Sequence, residues 1–124
     1  PAVGRDGSDI ENLVIFPVAR TPQVRSGRLV ALDKVSGKIV WKTRLDRYAW
    51  SSPLALYDKD GVSRLIACDS VGNIYLIAGA TGKILDKICP DSNNIEATPA
   101  AFDDMVVVGT RGQKILGLRV CKAQ

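Results

Sequence analysis

The sequence predicts an all-β protein made of repeated, antiparallel, four-stranded units. Three observations carry that reading. One phrase recurs: residues 27–41 read GRLVALDKVSGKIVW and residues 72–86 read GNIYLIAGATGKILD. In both, two glycines stand ten residues apart and Lys-Ile follows the second; a truncated third copy, GQKILGL, starts at Gly112. The copies therefore start at Gly27, Gly72 and Gly112, and a period of roughly 40–50 residues built on short strands marks β-propeller blades. Finally, no amphipathic helical stretch of useful length occurs; apolar residues alternate with polar ones or form strand-sized runs.

The elements follow in order. Residues 1–3 open in extended form, and GRDGSD at 4–9 is a turn. Residues 12–16 are apolar throughout and form a buried strand, while 17–26, with two Pro and two Arg, form a long loop. The first copy supplies two strands, with Ser36-Gly37 closing the turn between them. The return strand starts over Ile39, Val40 and Trp41, and residues 43–52 connect to the next unit. There Pro53 repeats the role of Pro1. Strands at 53–57, 64–68, 73–77 and 83–88 follow, with an Asp-Gly hairpin turn at 58–61. Residues 90–94 connect to a third unit with strands at 99–102, 105–109 and 114–120.

This gives eleven strands, in blades covering about 1–45, 53–88 and 99–121 of a single domain, 1–124. The third blade lacks a fourth strand, and three blades do not close a ring. An unpaired outer strand would be an aggregation hazard. The expectation is a partial propeller, the C-terminal portion of a larger one. The missing strand and blades then come from the parent chain or from a second protomer.

Composition excludes several function classes. The chain has 124 residues, 46% of them hydrophobic, with 17 basic against 13 acidic side chains and a net charge of +4. The basic residues are scattered singly beside turns, without the clustered stripe and stacking aromatics of a nucleic-acid site. No apolar run reaches the length of a membrane span. There is no His, which removes Ser-His-Asp, Cys-His and His-metal chemistry. The three cysteines, Cys68, Cys89 and Cys121, form no Cys-x-x-Cys pair. Cys68 is expected as a small buried hydrophobe, and a Cys89–Cys121 disulfide is an open alternative to free thiols.

Residues 31–41 bring a family into view. Ala31, Asp33, Ser36, Gly37, Lys38 and Trp41 resemble the tryptophan-docking motif A-x-D-x-x-T-G-K-x-x-W of PQQ-like, quinoprotein-type β-propellers. The second copy keeps Thr81-Gly82-Lys83 but has Ala78 in place of Asp and Asp86 in place of Trp. The motif has a structural rationale. An indole on an outer strand is a flat apolar plug between blades, Ala31 is small enough to receive a ring, Gly37 makes the turn, and Asp33 can accept turn N–H groups.

The resemblance implies two functions. Quinoprotein dehydrogenases bind PQQ and Ca²⁺ near the axis beside a vicinal Cys pair and an Asp base; no such pair exists here. Non-catalytic relatives, including outer-membrane assembly propellers of the BamB type, are binding platforms. The reading favoured is a non-enzymatic module for protein or ligand interaction without a resident cofactor, in the cell envelope or secreted. A third alternative is a calcium-binding FG-GAP or VCBS-type propeller, with Asp58 and Asp60 as ligands. That loop offers two carboxylates where a hard cation takes about six oxygens, and has Arg64 where a later acid belongs.

Blade topology also says where a partner would bind. Connectors between blades and loops between second and third strands share one face. It collects Arg20, Arg25, Arg47, Tyr48, Trp50, Asn93, Asn94, Glu96 and Arg111, of which the aromatic and Arg residues are typical interface anchors. The loop at 17–27 is the longest of its kind, which marks it for function.

Overall fold

A computed structural model describes residues 1–18 and 26–120. Among the described residues there are eleven strands and no helix. They form three antiparallel sheets in sequence order: β1 (Ala2–Val3), β2 (Leu13–Val18), β3 (Gly27–Asp33) and β4 (Ile39–Leu45); then β5 (Leu54–Tyr57), β6 (Ser63–Cys68), β7 (Ile74–Ala78) and β8 (Ile84–Ile88); then β9 (Ala100–Phe102), β10 (Met105–Gly109) and β11 (Ile115–Arg119). Each sheet is a meander, and none closes on itself. The chain is a partial propeller.

The sheets are blades because both faces of the middle one are buried. Successive side chains on a strand point to opposite faces. In β6, Leu65 and Ala67 join Leu13, Ile15, Leu29, Ala31, Trp41 and Leu45 of the first blade in one core. Ile66 and Cys68 of the same strand join Val106, Val108 and Ile95 in a second core. β7 splits likewise, with Tyr75 and Ile77 on one side and Ile74 on the other. The outer faces of the stack keep apolar side chains in solvent: Val3 on the first blade, Phe102 and Ile115 (each 83% exposed) on the third. Covered inner faces and uncovered outer ones are what a segment of a larger ring presents.

Three local expectations need correction. β2 runs through Pro17 to Val18, which the sequence reading assigned to the loop at 17–26. Asp33 N–H donates to Lys38 O, so odd-numbered residues of β3 bond β4 and even-numbered ones bond β2. Pro17 lies opposite Leu29 and turns its nitrogen away from β3, toward the side where β1 pairs only Val14 and Ile15. A strand tolerates proline on such an open side. β4 likewise continues to Leu45, because Trp41, Thr43 and Leu45 are buried while Lys42 and Arg44 between them are exposed.

The third correction concerns the third repeat. Asp69 N–H donates to Asn73 O, and Thr110 N–H to Lys114 O. These four-residue closures make Gln113 the counterpart of Gly72, and both have positive φ, 63° and 85°. Gly112 is therefore one residue out of step with the glycine it was matched to.

Candidate interaction face and the seams beneath it

Trp41 closes the seam between the first two blades. Its indole is buried, and its Nε1–H donates to Gly79 O at 2.8 Å. The ring lies against Gly82, where an added Cβ would stand 2.5 Å from Trp41 Cε3. Gly82 has φ +77°, so the turn and the indole both call for glycine there. Thr43 Oγ1 donates to Gly82 O from the same strand. Ala31 sits directly opposite Trp41 in the β3–β4 pairing and is fully buried. Asp33 Oδ1 accepts the N–H groups of Val35 and Ser36, both at 2.9 Å. Those bonds, Ser36 first, hold its carboxyl below the usual aspartate range.

The connectors leaving the first and second blades each carry an Asp, Asp46 and Asp91, separated by the interval that separates Gly27 from Gly72. Asp46 N–H donates to Tyr75 OH at 2.9 Å, and that hydroxyl donates to Asp69 Oδ2 at 3.0 Å. Asp69 is completely buried. Its carboxylate also accepts from Asn73 Nδ2 at 2.8 Å, Asn73 N at 2.9 Å and Val71 N at 3.1 Å. Four donors on one buried carboxylate satisfy a charge that would otherwise be costly inside the fold. Lys87 Nζ reaches Asp46 Oδ2 at 2.8 Å on the surface. At the second seam, Thr110 Oγ1 donates to Asp91 Oδ2 at 2.6 Å and Asn93 Nδ2 to Asp91 Oδ1 at 2.7 Å. The Thr110 and Asn93 bonds hold the Asp91 carboxyl below the usual aspartate range as well.

Above these seams the loops are tied into one surface. Ser70 N–H donates to Tyr48 O at 2.9 Å, Ile95 N–H to Asp69 O at 3.4 Å, and Arg111 N–H to Asn94 O at 2.9 Å. The two connectors and the two loops at 69–73 and 110–114 thus form a continuous chain of backbone bonds. On it, Tyr48 and Trp50 meet edge to face, with centroids 5.4 Å apart and planes at 83°. Ala49 between them is buried, yet Trp50 is 60% exposed. Arg47 is exposed beside them. Glu96 accepts from Asn94 Nδ2 at 2.9 Å and pairs with Arg111 at 3.4 Å, both residues exposed. Such a pair fixes orientation more than it stabilises.

Of the face residues expected from the sequence, Tyr48 and Trp50 meet each other with Arg47 next in the chain, Asn94, Glu96 and Arg111 meet one another with Asn93 next in the chain, and the backbone of residues 69–70 links the two sets. Arg20 and Arg25 lie outside the described residues, as does Cys121 and with it the Cys89–Cys121 alternative. Sequence reasoning missed Asp46, Asp69, Tyr75, Asp91 and Thr110. The signal for Asp46 and Asp91 was their spacing, which matches the repeat. Asp58 stands apart from this face. Its Oδ1 accepts the N–H groups of Asp60 at 2.8 Å and Val62 at 2.9 Å, which makes it the organiser of its hairpin turn. Among the described residues no three His, Cys, Asp or Glu are grouped to hold a metal ion, and no helix is long and apolar enough to cross a membrane.

The chain matches no protein-family model and no curated protein. It is similar in fold to solved structures. BamB from Moraxella catarrhalis superposes with a TM-score of 0.67 at 21% identity, covering 90% of this chain and 31% of that one. The computationally designed Ika8 protein superposes with a TM-score of 0.60 at 11% identity, covering 88% of this chain and 30% of that one. At these identities the likeness is one of fold. The chain spans about a third of the length of either structure.

Proposed function

We propose that this chain is a non-enzymatic, protein-binding part of a larger β-propeller, and that its connector face holds the partner. One observation carries the reading: Trp50, 60% exposed, is held edge-on by Tyr48 on a surface whose backbone is bonded across two blade seams. Exposed aromatic anchors on a rigid base lose little entropy on binding and are characteristic hot spots. Arg47 and the Glu96–Arg111 pair supply a polar rim around that anchor. The fold likeness to BamB supports a propeller-type platform, and the reading takes no cofactor.

The same proposal has further blades, from the parent chain or a second protomer, covering Phe102 and Ile115 at one end and Val3 at the other. Intact native mass spectrometry of the chain and of its parent separates these two sources.

Site-specific photocrosslinking tests the interaction face. A photoreactive residue at position 47 should yield a discrete adduct in cells, absent when the residue is placed at Val35, an exposed position in the β3–β4 turn. The adduct should disappear on Trp50→Ala. Equal adducts from both positions, or an adduct indifferent to Trp50, would remove the proposal.

A further inference from the structure

The loop at 69–73 of the second blade lies between the two connectors, and Asp69 ties it to both. Toward the first connector, the Asp69 carboxylate accepts from Tyr75 OH at 3.0 Å, and that hydroxyl accepts Asp46 N–H at 2.9 Å. Next in the chain, Ser70 N–H donates to Tyr48 O at 2.9 Å. Toward the second connector, Asp69 O accepts Ile95 N–H, together with Gly72 N–H of its own loop, both at 3.4 Å. Gly72 is packed tightly on that side: an added Cβ would stand 1.8 Å from Asp91 O.

The shape of this loop depends on the same carboxylate. Its Oδ1 takes the N–H groups of Val71 and Asn73, and its Oδ2 takes Asn73 Nδ2. A side-chain acceptor for N–H groups two and four residues ahead holds a short loop in one conformation. The residues held by the loop are well placed to pass on its movements. Ala49, in the first core, stands between Tyr48 and Trp50. Ile95, in the second core, stands between Asn94 and Glu96. A shift at either buried residue displaces the exposed side chains on both sides of it.

We propose that Asp69 is the positioning residue of the connector face. Through the loop at 69–73 it couples the Tyr48–Trp50 anchor to the cluster of Asn94, Glu96 and Arg111, so that a partner meets the two as one surface. Asp69 itself is completely buried and offers a partner nothing. The inference rests on the reading of that face as the binding surface, but the coupling is a property of the free chain and is measured there. Loss of the carboxylate releases the loop, and the loop releases both connectors in one local opening.

The test is amide hydrogen exchange of the whole chain, read by NMR, for wild type and Asp69→Asn. The amide keeps the size of the carboxylate but has one acceptor oxygen instead of two. Exchange at Ser70 and at Ile95 should each speed up by about tenfold. Gly37 and Gly82, whose N–H groups close turns at the opposite ends of β3 and β7, should keep their wild-type rates. Faster exchange at Ser70 with Ile95 unchanged would overturn the coupling. A uniform rise that includes Gly37 and Gly82 would make Asp69 a contributor to general stability and overturn it as well. Should Asp69→Asn fail to fold, Tyr75→Phe is read at the same amides, with a rise of at least about threefold expected at Ser70 and Ile95, and the same two patterns overturn the proposal. Binding is scored separately. Photocrosslinking from position 47 in Asp69→Asn should give at most about a third of the wild-type adduct, and an undiminished adduct would overturn the positioning role. No adduct from the wild-type chain, with the exchange pattern as expected, would remove the binding reading and support the coupling.

Discussion

Trp41 Nε1–H donates to the carbonyl of Gly79 across the first blade seam, 38 residues along the chain. The bond is buried, and the indole that makes it rests on the turn ending at Gly82. Trp41 thereby joins two sheets that share no strand pairing, alongside the Thr43 Oγ1 bond to Gly82 O. Replacing Trp41 by Ala removes plug and bond together and should cost about 3–5 kcal/mol. Trp41→Phe keeps a ring and loses the donor, and should cost about 1–2 kcal/mol. Gly82→Ala forces a Cβ into the indole at positive φ and should cost more than about 1 kcal/mol. Urea unfolding monitored by circular dichroism gives all three values.

The buried Asp69 carboxylate makes a second seam prediction. Asp69→Ala strips the partner from Asn73 and Tyr75 in the interior and should cost at least about 3 kcal/mol. Tyr75→Phe removes only the hydroxyl bridging Asp46 N–H to Asp69 and should cost about 1–2 kcal/mol. Because the two share one network, the double variant should cost less than the sum of the singles. Strict additivity in the unfolding free energies would contradict the network.

Acid should weaken the fold through Asp33 and Asp91. Both are held below the ordinary aspartate range, by turn N–H groups and by Thr110 and Asn93 respectively. A depressed folded-state value means the contribution is fully present above the unfolded aspartate value of about 3.9 and is lost as pH falls through the folded values. The unfolding free energy should be flat between about pH 5 and pH 8 and should fall below about pH 4. Asp91→Asn should flatten part of that fall. Chemical denaturation at a series of pH values reads the slope.

The two described cysteines should differ in reactivity. Burial, then the charge of Asp69, pushes the Cys68 thiol up to about 12, whereas Cys89 is exposed. At neutral pH iodoacetamide should label Cys89 readily and Cys68 at least about a hundredfold more slowly, the difference vanishing in denaturant. Peptide mass mapping over time measures both rates.

Much of the fold was legible in the sequence because blade strands announce themselves by period-two patterning and by glycine-marked turns. Residues 27–41 and 72–86 fixed two blades, and the A-x-D-x-x-S-G-K-x-x-W spacing placed Trp41 and Asp33 on a turn and its return strand. The misreadings arose where local signals mislead. Pro17 suggests a loop, but its missing N–H falls on the open side of β2. Gly112 suggests the repeat glycine, but Gln113 takes up the positive φ. That the blade connectors and the loops at 69–73 and 110–114 lie side by side was legible as a topological consequence. The supports beneath them were not, because Asp69, Tyr75 and Asp46 form a network only after two blades pack, and local sequence carries no sign of such long-range bonds.

The claim that the connector face is the binding surface is tested most directly by affinity. With the polypeptide recovered from crosslinking at position 47, calorimetric titration would compare the wild-type chain with Trp50→Ala, Tyr48→Ala and Val35→Ala. Trp50→Ala should weaken binding by at least about thirtyfold, which corresponds to the roughly 2 kcal/mol of an interface hot spot. Tyr48→Ala should weaken it less, and Val35→Ala should leave it unchanged. Wild-type affinity in Trp50→Ala, with the fold intact by circular dichroism, would contradict the account.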